Sequence, residues 1–403
     1  MNNNISIFTE DFDDSNNSAG KVMVDLVIEL GKKTSGFVDV FTLSRSKKNI
    51  VKNTDFLLNN SNNIRVYRMF VSDKSNMSLF KRAIFEISLS PRMFIFILKK
   101  KKLFSFCNII WYSPTIFWSP LILILSIFNR ANKFLILRDI FPAWAVDLNI
   151  IKKPSLKYFF FRFFEVLNYK TADYIGIQTP GDAKYFVSNK NLKRKVKILR
   201  TWYDISQPIK AKKDKFNYLN FHNKKVCVYP GNLGIANNQK LLLGLIRNLK
   251  EDKNFHFLFI GLKEKDKKDI ESFCLEYNLS NITTMETMSQ EDLNIILLNS
   301  HLGLFSLDMR HKSNPIPGKF LHFVSIGLPV FGFINEGNDL DDIISLNKLG
   351  ASFSGNNIDD ATDSFLKISR SIDLGKYKKE EIQKYIKDNL TSNQAADFII
   401  KTL

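Results

Sequence analysis

The segment Asn314-Pro315-Ile316-Pro317-Gly318-Lys319 sets a lysine in the first turn of a helical apolar pattern. The helix dipole and the unpaired N–H groups there favour anions, so an ammonium needs a reason to be present. Pro317 and Gly318 turn the chain sharply, and Gly318 permits close approach of a ligand. Free N–H groups together with the Lys319 ammonium make a site for a phosphate or diphosphate. The basic run Arg310-His311-Lys312 precedes it. The alternative is a solvated lysine near a helix end.

A second segment, "VYPGNLGIANNQ" (228–239), runs from a strand through Gly231, Asn232 and Gly234 into a helix. Such a turn lets backbone N–H groups face a phosphate, although Gly-x-x-Gly turns after strands are common. "FIGLKEKD" (259–266) repeats the theme with Gly261 and Lys263. Three glycine turns with two lysines describe a nucleotide-diphosphate pocket. A third segment, "LILRDIFPAWAVDLNII" (135–151), ends a strand in Arg138-Asp139. A carboxylate there could take a proton from an acceptor hydroxyl or orient one. It could equally be half of a structural ion pair. Trp144 beside it reads as core or as wall of an acceptor cleft.

The fourth segment, "IIKKPSLKYFFFRFFEVLNYK" (150–170), reads as a helix whose apolar stripe is Leu156, Phe159, Phe160, Phe163, Phe164 and Leu167. The stripe is expected to face the core. Lys157, Tyr158, Phe161 and Arg162 then fall on the wet side. With Lys152, Lys153 and the run "KKKK" (99–102) they suggest a patch for an anionic membrane surface, with ordinary lysine solvation as the alternative.

Positioning these groups requires alternating strands and helices, and the chain shows them twice. A strand at 4–11, a helix at 22–33 and a strand at 37–44 form a βαβ unit. Further strands are expected at 63–69, 108–113, 133–139, 173–179 and 195–201. The pattern restarts with strands at 224–231, 256–262, 281–287, 301–307 and 329–334. The expected fold is α/β, two doubly wound Rossmann-like domains facing a cleft, with active groups at the carboxyl ends of the strands. The expected boundaries are 1–203, a linker at 204–224, 225–380, and a C-terminal helix at 381–403 packing back toward the first domain.

The 403 residues suffice for two such cores. A net charge of +18 points to nucleic acid, an anionic membrane or anionic substrates. Nucleic-acid modules leave no trace, and there is no Walker loop, zincin helix or Gly-x-Ser-x-Gly elbow. Cys107, Cys227 and Cys274 lack metal or redox spacing and suit a reducing cytosol. The polar start is unlike a signal peptide, and the apolar run 118–128 falls short of a membrane span. A cytoplasmic protein is expected.

In "RDIFPAWAVDLNII", "ADYIGIQTPGDAKYF" (172–186), "YPGNLGIANNQ" and "IPGKFLHFVSIGLPVFGFINEGNDL" (316–340), the chain resembles the family 4 glycosyltransferases of GT-B fold. The resemblance is narrower to the bacterial O-antigen and capsule branch that includes the L-fucosaminyltransferases. It implies a retaining transfer from a UDP-sugar, without bound metal, to a saccharide on an undecaprenyl diphosphate lipid at the inner face of the plasma membrane. It places the donor in the C-terminal domain near Gly231 and Lys319, and contacts at Gly20 in the N-terminal loop. Arg138 stands where many members have a histidine, which leaves Asp139 as the base. Asn314 and His322 stand where many carry two glutamates; His322 could bond a ribose hydroxyl but is no acceptor-only carboxylate. A nucleotide-sugar 2-epimerase would bind the same donor and have no use for a membrane patch. A non-enzymatic basic protein would leave the glycine turns without a purpose.

Overall fold

The computed structural model describes residues 4–12, 18–45, 63–72, 79–100, 104, 106–113, 115–203 and 224–403. The chain divides into two compact units, Met1–Asp204 with Thr391–Leu403, and Ile205–Leu390. All of the expected linker 204–224 except its last position lies outside the described residues.

In the first unit the strands are β1 (Ile5–Phe8), β2 (Val38–Ser44), β3 (Ile64–Phe70), β4 (Asn108–Ser113), β5 (Asn132–Leu137), β6 (Tyr174–Ile177) and β7 (Val196–Ile198). They form one parallel sheet in the order β3-β2-β1-β4-β5-β6-β7. Runs such as "FLIL" in β5 are buried on both faces, as a parallel sheet covered by helices requires. One face is covered by the helices Ser18–Lys33 and Ser392–Thr402 around Met23, Leu26, Leu30 and Ile399. The other face, around Trp111, Trp118 and Phe41, is covered by the helices Leu89–Lys99, Ser119–Asn129 and Leu156–Thr171.

In the second unit β8 (Lys225–Pro230), β9 (Phe255–Ile260), β10 (Ile282–Met285), β11 (Leu302–Ser306), β12 (Val330–Phe333) and β13 (Gly350–Phe353) form a parallel sheet. Its order is β10-β9-β8-β11-β12-β13. The order reverses between β8 and β11, so the loops leaving their carboxyl ends separate and open a crevice there. The helix Gly318–Ile326 lies close against β11 because Gly303 has no side chain. A Cβ there would stand 2.5 Å from the Phe323 ring.

The expected single C-terminal helix at 381–403 is two helices. Lys379–Asn389 stays in the second unit, where Gln383 Nε2 donates to Ser325 O at 3.1 Å. The chain returns to the first unit only at Thr391, whose hydroxyl and backbone N–H exchange a capping box with Gln394 at the start of Ser392–Thr402.

Candidate functional site

At the reversal point of the second sheet, β8 ends in Tyr229-Pro230 and turns through Gly231 at φ +80°, a backbone that side chains resist. The Gly231 N–H donates to Ile260 O at 2.7 Å, and the Gly261 N–H, at φ +70°, donates to Met285 O at 2.9 Å. Neighbouring strand ends consume the Gly231 and Gly261 N–H groups themselves. Gly231 and Gly261 turn the chain so that the loop after each glycine clears the sheet. A Cβ on Gly231 or Gly318 would meet nothing within 4 Å, so the space above both is open.

The loop after Gly231 is held from behind. Asn237 Nδ2 donates to Asn232 O and to Gly234 O, each at 3.3 Å, and the Asp308 N–H donates to Ala236 O at 2.9 Å. That last bond ties the loops leaving β8 and β11 together. Asp308 also takes Arg310, with Nη2 2.7 Å from Oδ2. Part of the basic run expected to favour an anion is thus neutralised. Although desolvation pushes the Asp308 carboxyl up, the bonds and charge of Arg310 outweigh it and hold the group below its ordinary value.

Lys319 is in the first turn of Gly318–Ile326, a helix that starts at Pro317 with no side chain capping it. Its Nζ lies 3.7 Å from the centroid of the buried Tyr229 ring and 3.5 Å from Asn232 O. No carboxylate pairs with it among the described residues. Desolvation lowers its pKa to about 7. The side chain keeps part of its surface open, so water moderates that cost and a ligand can reach the ammonium. Gly231, Asn232, Gly318 and Lys319 are therefore one site, with Tyr229 as a floor that the sequence reading passed over. Its place in "VYPG", one pleat before the turn, was the available signal.

The remaining expected donor residues are placed differently. Gly234 is exposed in the held loop, and Lys263 is exposed at the start of Glu264–Tyr277. Asn314 is buried, its Oδ1 accepting from the Asp339 N–H at 3.1 Å. His322 is buried with Nε2 2.6 Å from Asn294 Oδ1, which ties it to the helix Gln290–Leu298.

In the first unit, Arg138 and Asp139 follow directly on β5. Gln178 Nε2, just past β6, donates to Arg138 O at 2.6 Å and fixes the turn. The Arg138 guanidinium lies 5.0 Å from the buried Trp202 ring, whose Nε1 donates to Val22 O at 2.8 Å. Trp202 so connects Arg138 to the first turns of Ser18–Lys33, where Gly20 is buried. Arg138 makes no ion pair with Asp139, contrary to the structural alternative. The Asp139 carboxyl is raised, by desolvation first and by Asp182 next, while Arg138 opposes the shift. Asp139 is nevertheless exposed, so solvent limits the rise. A carboxylate moved toward neutral pH suits proton transfer. Trp144 is half-buried, its ring 5.8 Å from Phe141, which in turn packs 4.9 Å from Phe161.

The helix Leu156–Thr171 splits the expected stripe: Phe160 and Phe164 are half-buried against Phe117, with Phe164 4.8 Å from it, but the other half turns outward. Leu156 is 88% exposed, Phe159 60% and Phe163 63%, while Glu165, Asn168 and Tyr169 are buried. Phe161 faces inward, toward Phe117 and Phe141, and Tyr158 is half-buried beneath Lys153. Arg162 is exposed but held by Glu165 at 2.5 Å, while Lys157, with Lys152, Lys153 and Lys99 of the expected patch, is exposed as expected. The cause is polar: Asn168 Oδ1 accepts from the buried Trp111 Nε1 at 2.8 Å, and its Nδ2 donates to Ile116 O at 2.5 Å. Leaving those groups unpaired inside the unit would cost about 1–3 kcal/mol each. That is comparable with what exposing three apolar side chains costs, and so can set the rotation of a helix that is apolar on most sides. Lys101 and Lys102 of the lysine run lie outside the described residues.

Residues 210–387 match the family model described as glycosyl transferases group 1. No curated protein sequence matches the chain. Among solved structures, the sucrose-phosphate synthase of Thermosynechococcus elongatus superposes with a TM-score of 0.74 at 11% identity, covering 99% of this chain and 98% of that one. Anabaena HepE, solved with UDP and glucose, gives 0.68 at 11% identity over 99% and 98%. WaaG, a glycosyltransferase involved in lipopolysaccharide biosynthesis, gives 0.65 at 12% identity over 98% and 99%. The two parallel-sheet units are those of the GT-B fold, and residues 210–387, within the second unit, match the glycosyl transferases group 1 model.

Proposed function

We propose that the chain moves a sugar, N-acetyl-L-fucosamine or a related amino sugar, from a UDP-sugar to a lipid-diphosphate-linked saccharide, with retention, in O-antigen or capsule synthesis. The observation that carries the donor half is Lys319, a carboxylate-free ammonium at an uncapped helix start beside an open glycine turn. Those features together receive a diphosphate. The solution of HepE with UDP and glucose on the same fold supports the choice of nucleotide. The lipid half and the branch rest on the sequence resemblance.

In this reading the bond from the donor sugar's C1 to the diphosphate oxygen breaks, and its electron pair leaves on the nucleotide. The acceptor hydroxyl oxygen forms the new bond to C1 and gives up its proton, for which Asp139 is the candidate base. Lys319 and the first N–H groups of Gly318–Ile326 stabilise charge developing on the departing diphosphate, so that no metal is required. The reaction belongs at the cytoplasmic face of the membrane, where the lipid-linked acceptor would be met.

The test is thermal unfolding of the full chain with UDP, GDP and their sugars. A UDP compound should raise the midpoint, because a ligand bound only by the folded form stabilises it. No shift with any nucleoside diphosphate would remove the donor assignment.

A further inference from the structure

Among the described residues, about half of the exposed large apolar side chains of the first unit are on three neighbouring helices. Outside the sheet face lined by Trp111 and Trp118 lie Leu89–Lys99, Ser119–Asn129 and Leu156–Thr171, each packed against the next. Each turns apolar residues inward and others outward. Leu89–Lys99 exposes Ile95 at 49% and Leu98 at 62%. Ser119–Asn129 exposes Ile127 at 67% and Phe128 at 80%, and Leu156–Thr171 exposes Leu156, Phe159 and Phe163. The opposite face of the same sheet differs: of its covering helices, Ser18–Lys33 exposes no large hydrophobic residue and Ser392–Thr402 only Ile400, at 36%.

Scattered apolar side chains are ordinary, but these three packed helices together turn nine large apolar residues outward, and a large exposed apolar patch marks an interaction or membrane surface. Charge selects the occupant. The three helices contain one carboxylate, Glu165, which is buried against Arg162. Lys99, Lys157 and Lys170 are exposed on them, with Lys152 and Lys153 just before the third. Two copies of this surface face to face would oppose cations to cations. An anionic bilayer offers apolar depth and negative charge together.

We infer that these three helices form a single platform that seats the first unit on an anionic membrane. Outward side chains of all three enter the headgroup and acyl boundary while the flanking lysines meet phosphates. The proposal deepens the lipid-acceptor reading above and rests on it for its purpose. It differs from the patch expected from sequence in its residues and in requiring helices other than Leu156–Thr171.

Flotation of the full chain with vesicles of phosphatidylglycerol and phosphatidylcholine tests it, beside phosphatidylcholine alone. Binding should require the anionic lipid and weaken with salt. Phe159→Asp with Phe163→Asp on one helix, and Ile127→Asp with Phe128→Asp on another, should each lower partitioning at least ten-fold. Leu275→Asp, equally exposed on the second unit, should leave it unchanged. Circular dichroism melts confirm that each variant is folded. Full binding by the Ile127/Phe128 variant would overturn the platform. So would sedimentation showing a wild-type dimer that these variants dissolve, since the surface would then meet a second copy. UDP protection measured on the same variants keeps the readings apart: its absence throughout removes the donor assignment and leaves the vesicle result standing.

Discussion

Replacing Lys319 by methionine separates a ligand-binding lysine from a structural one. Methionine keeps an unbranched apolar stem over Tyr229 and removes only the ammonium. In the free protein that ammonium is desolvated, lacks a carboxylate, and has the Tyr229 face and one 3.5 Å carbonyl contact in return. The unliganded variant should therefore stay within about 1 kcal/mol of wild type, since a cation–π contact at a partly exposed site contributes roughly that much. Hydrogen bonds to charged groups contribute about 1.5–3 kcal/mol. Losing ~2 kcal/mol to a diphosphate lowers UDP affinity about 30-fold. At UDP one hundred times the wild-type Kd, protection should fall from about 2.7 to about 0.9 kcal/mol. At about 2–4 °C per kcal/mol for a unit of this size, the UDP-induced shift shrinks from roughly 5–11 °C to roughly 2–4 °C.

The same variant carries a pH signature. Lys319 is raised by a bound diphosphate from its value of about 7, so UDP binding takes up a proton above that pH. Wild-type UDP affinity should fall as pH rises from 6 to 9 more steeply than titration of the free nucleotide explains, and the methionine variant should lose that excess. Calorimetry in buffers of different ionisation enthalpy counts the proton directly. Wild-type UDP affinity in the variant, or a loss of several kcal/mol in its unliganded stability, would refute the reasoning.

Asp139→Asn should lower turnover about 100-fold or more, the usual worth of a positioned base, with the melting midpoint little changed because the residue is exposed; an equally active variant would make it structural. Gly231→Ala should cost about 1–2 kcal/mol in denaturant unfolding of the second unit, from positive φ alone, since its Cβ meets nothing; an unchanged midpoint would contradict the strain. Arg162→Met should destabilise the first unit at pH 8 by about 2 kcal/mol, reduced from the fully buried case because the guanidinium is half open. Burial raises the Glu165 pKa above its unfolded value, so the folded state binds the extra proton and this loss should diminish as pH falls through that window. A pH-independent loss would assign the effect to packing.

The order of strands and helices was legible because parallel strands buried on both faces leave continuous apolar runs, bounded by glycine turns. β13 escaped the reading: "GASF" is short, holds three small residues and lacks such a run. The site residues divide by a different rule. Lys319 and the Gly231 turn were identifiable because their backbone positions are unusual for their types. The use of the Gly231 N–H was not, since its acceptor, Ile260 O, lies on a strand 29 residues away and is fixed by register alone. Asn314 and His322 were named by analogy of spacing, which reports a helical phase. Which groups lie across from that phase, Asn294 for His322 and the Asp339 N–H for Asn314, is set by the packing of neighbouring elements.

The split stripe of the helix Leu156–Thr171 shows where hydrophobic periodicity fails for a physical reason. Periodicity assigns the more apolar stripe to the interior because water is assumed to cover the other side. With nine aromatic or large aliphatic residues among its sixteen, either rotation buries an apolar face. Rotation is then decided by the polar minority, which must find partners: Asn168 between Trp111 and the Ile116 carbonyl, Glu165 under Arg162. Satisfying both turns Leu156, Phe159 and Phe163 outward, a cost in water that the proposed bilayer contact would remove. The helix is consequently stable against the sheet for one reason and exposed for another. Replacing Asn168 by leucine tests that separation. It strands the Trp111 N–H, and should cost the first unit about 2 kcal/mol in unfolding while freeing the helix to rotate. Cysteine labelling at position 163 reads the rotation: rapid in the otherwise wild-type protein, slowed in the Asn168→Leu background. Equal labelling in both would mean that aromatic packing against Phe117, and not the buried polar pair, sets the face presented outward.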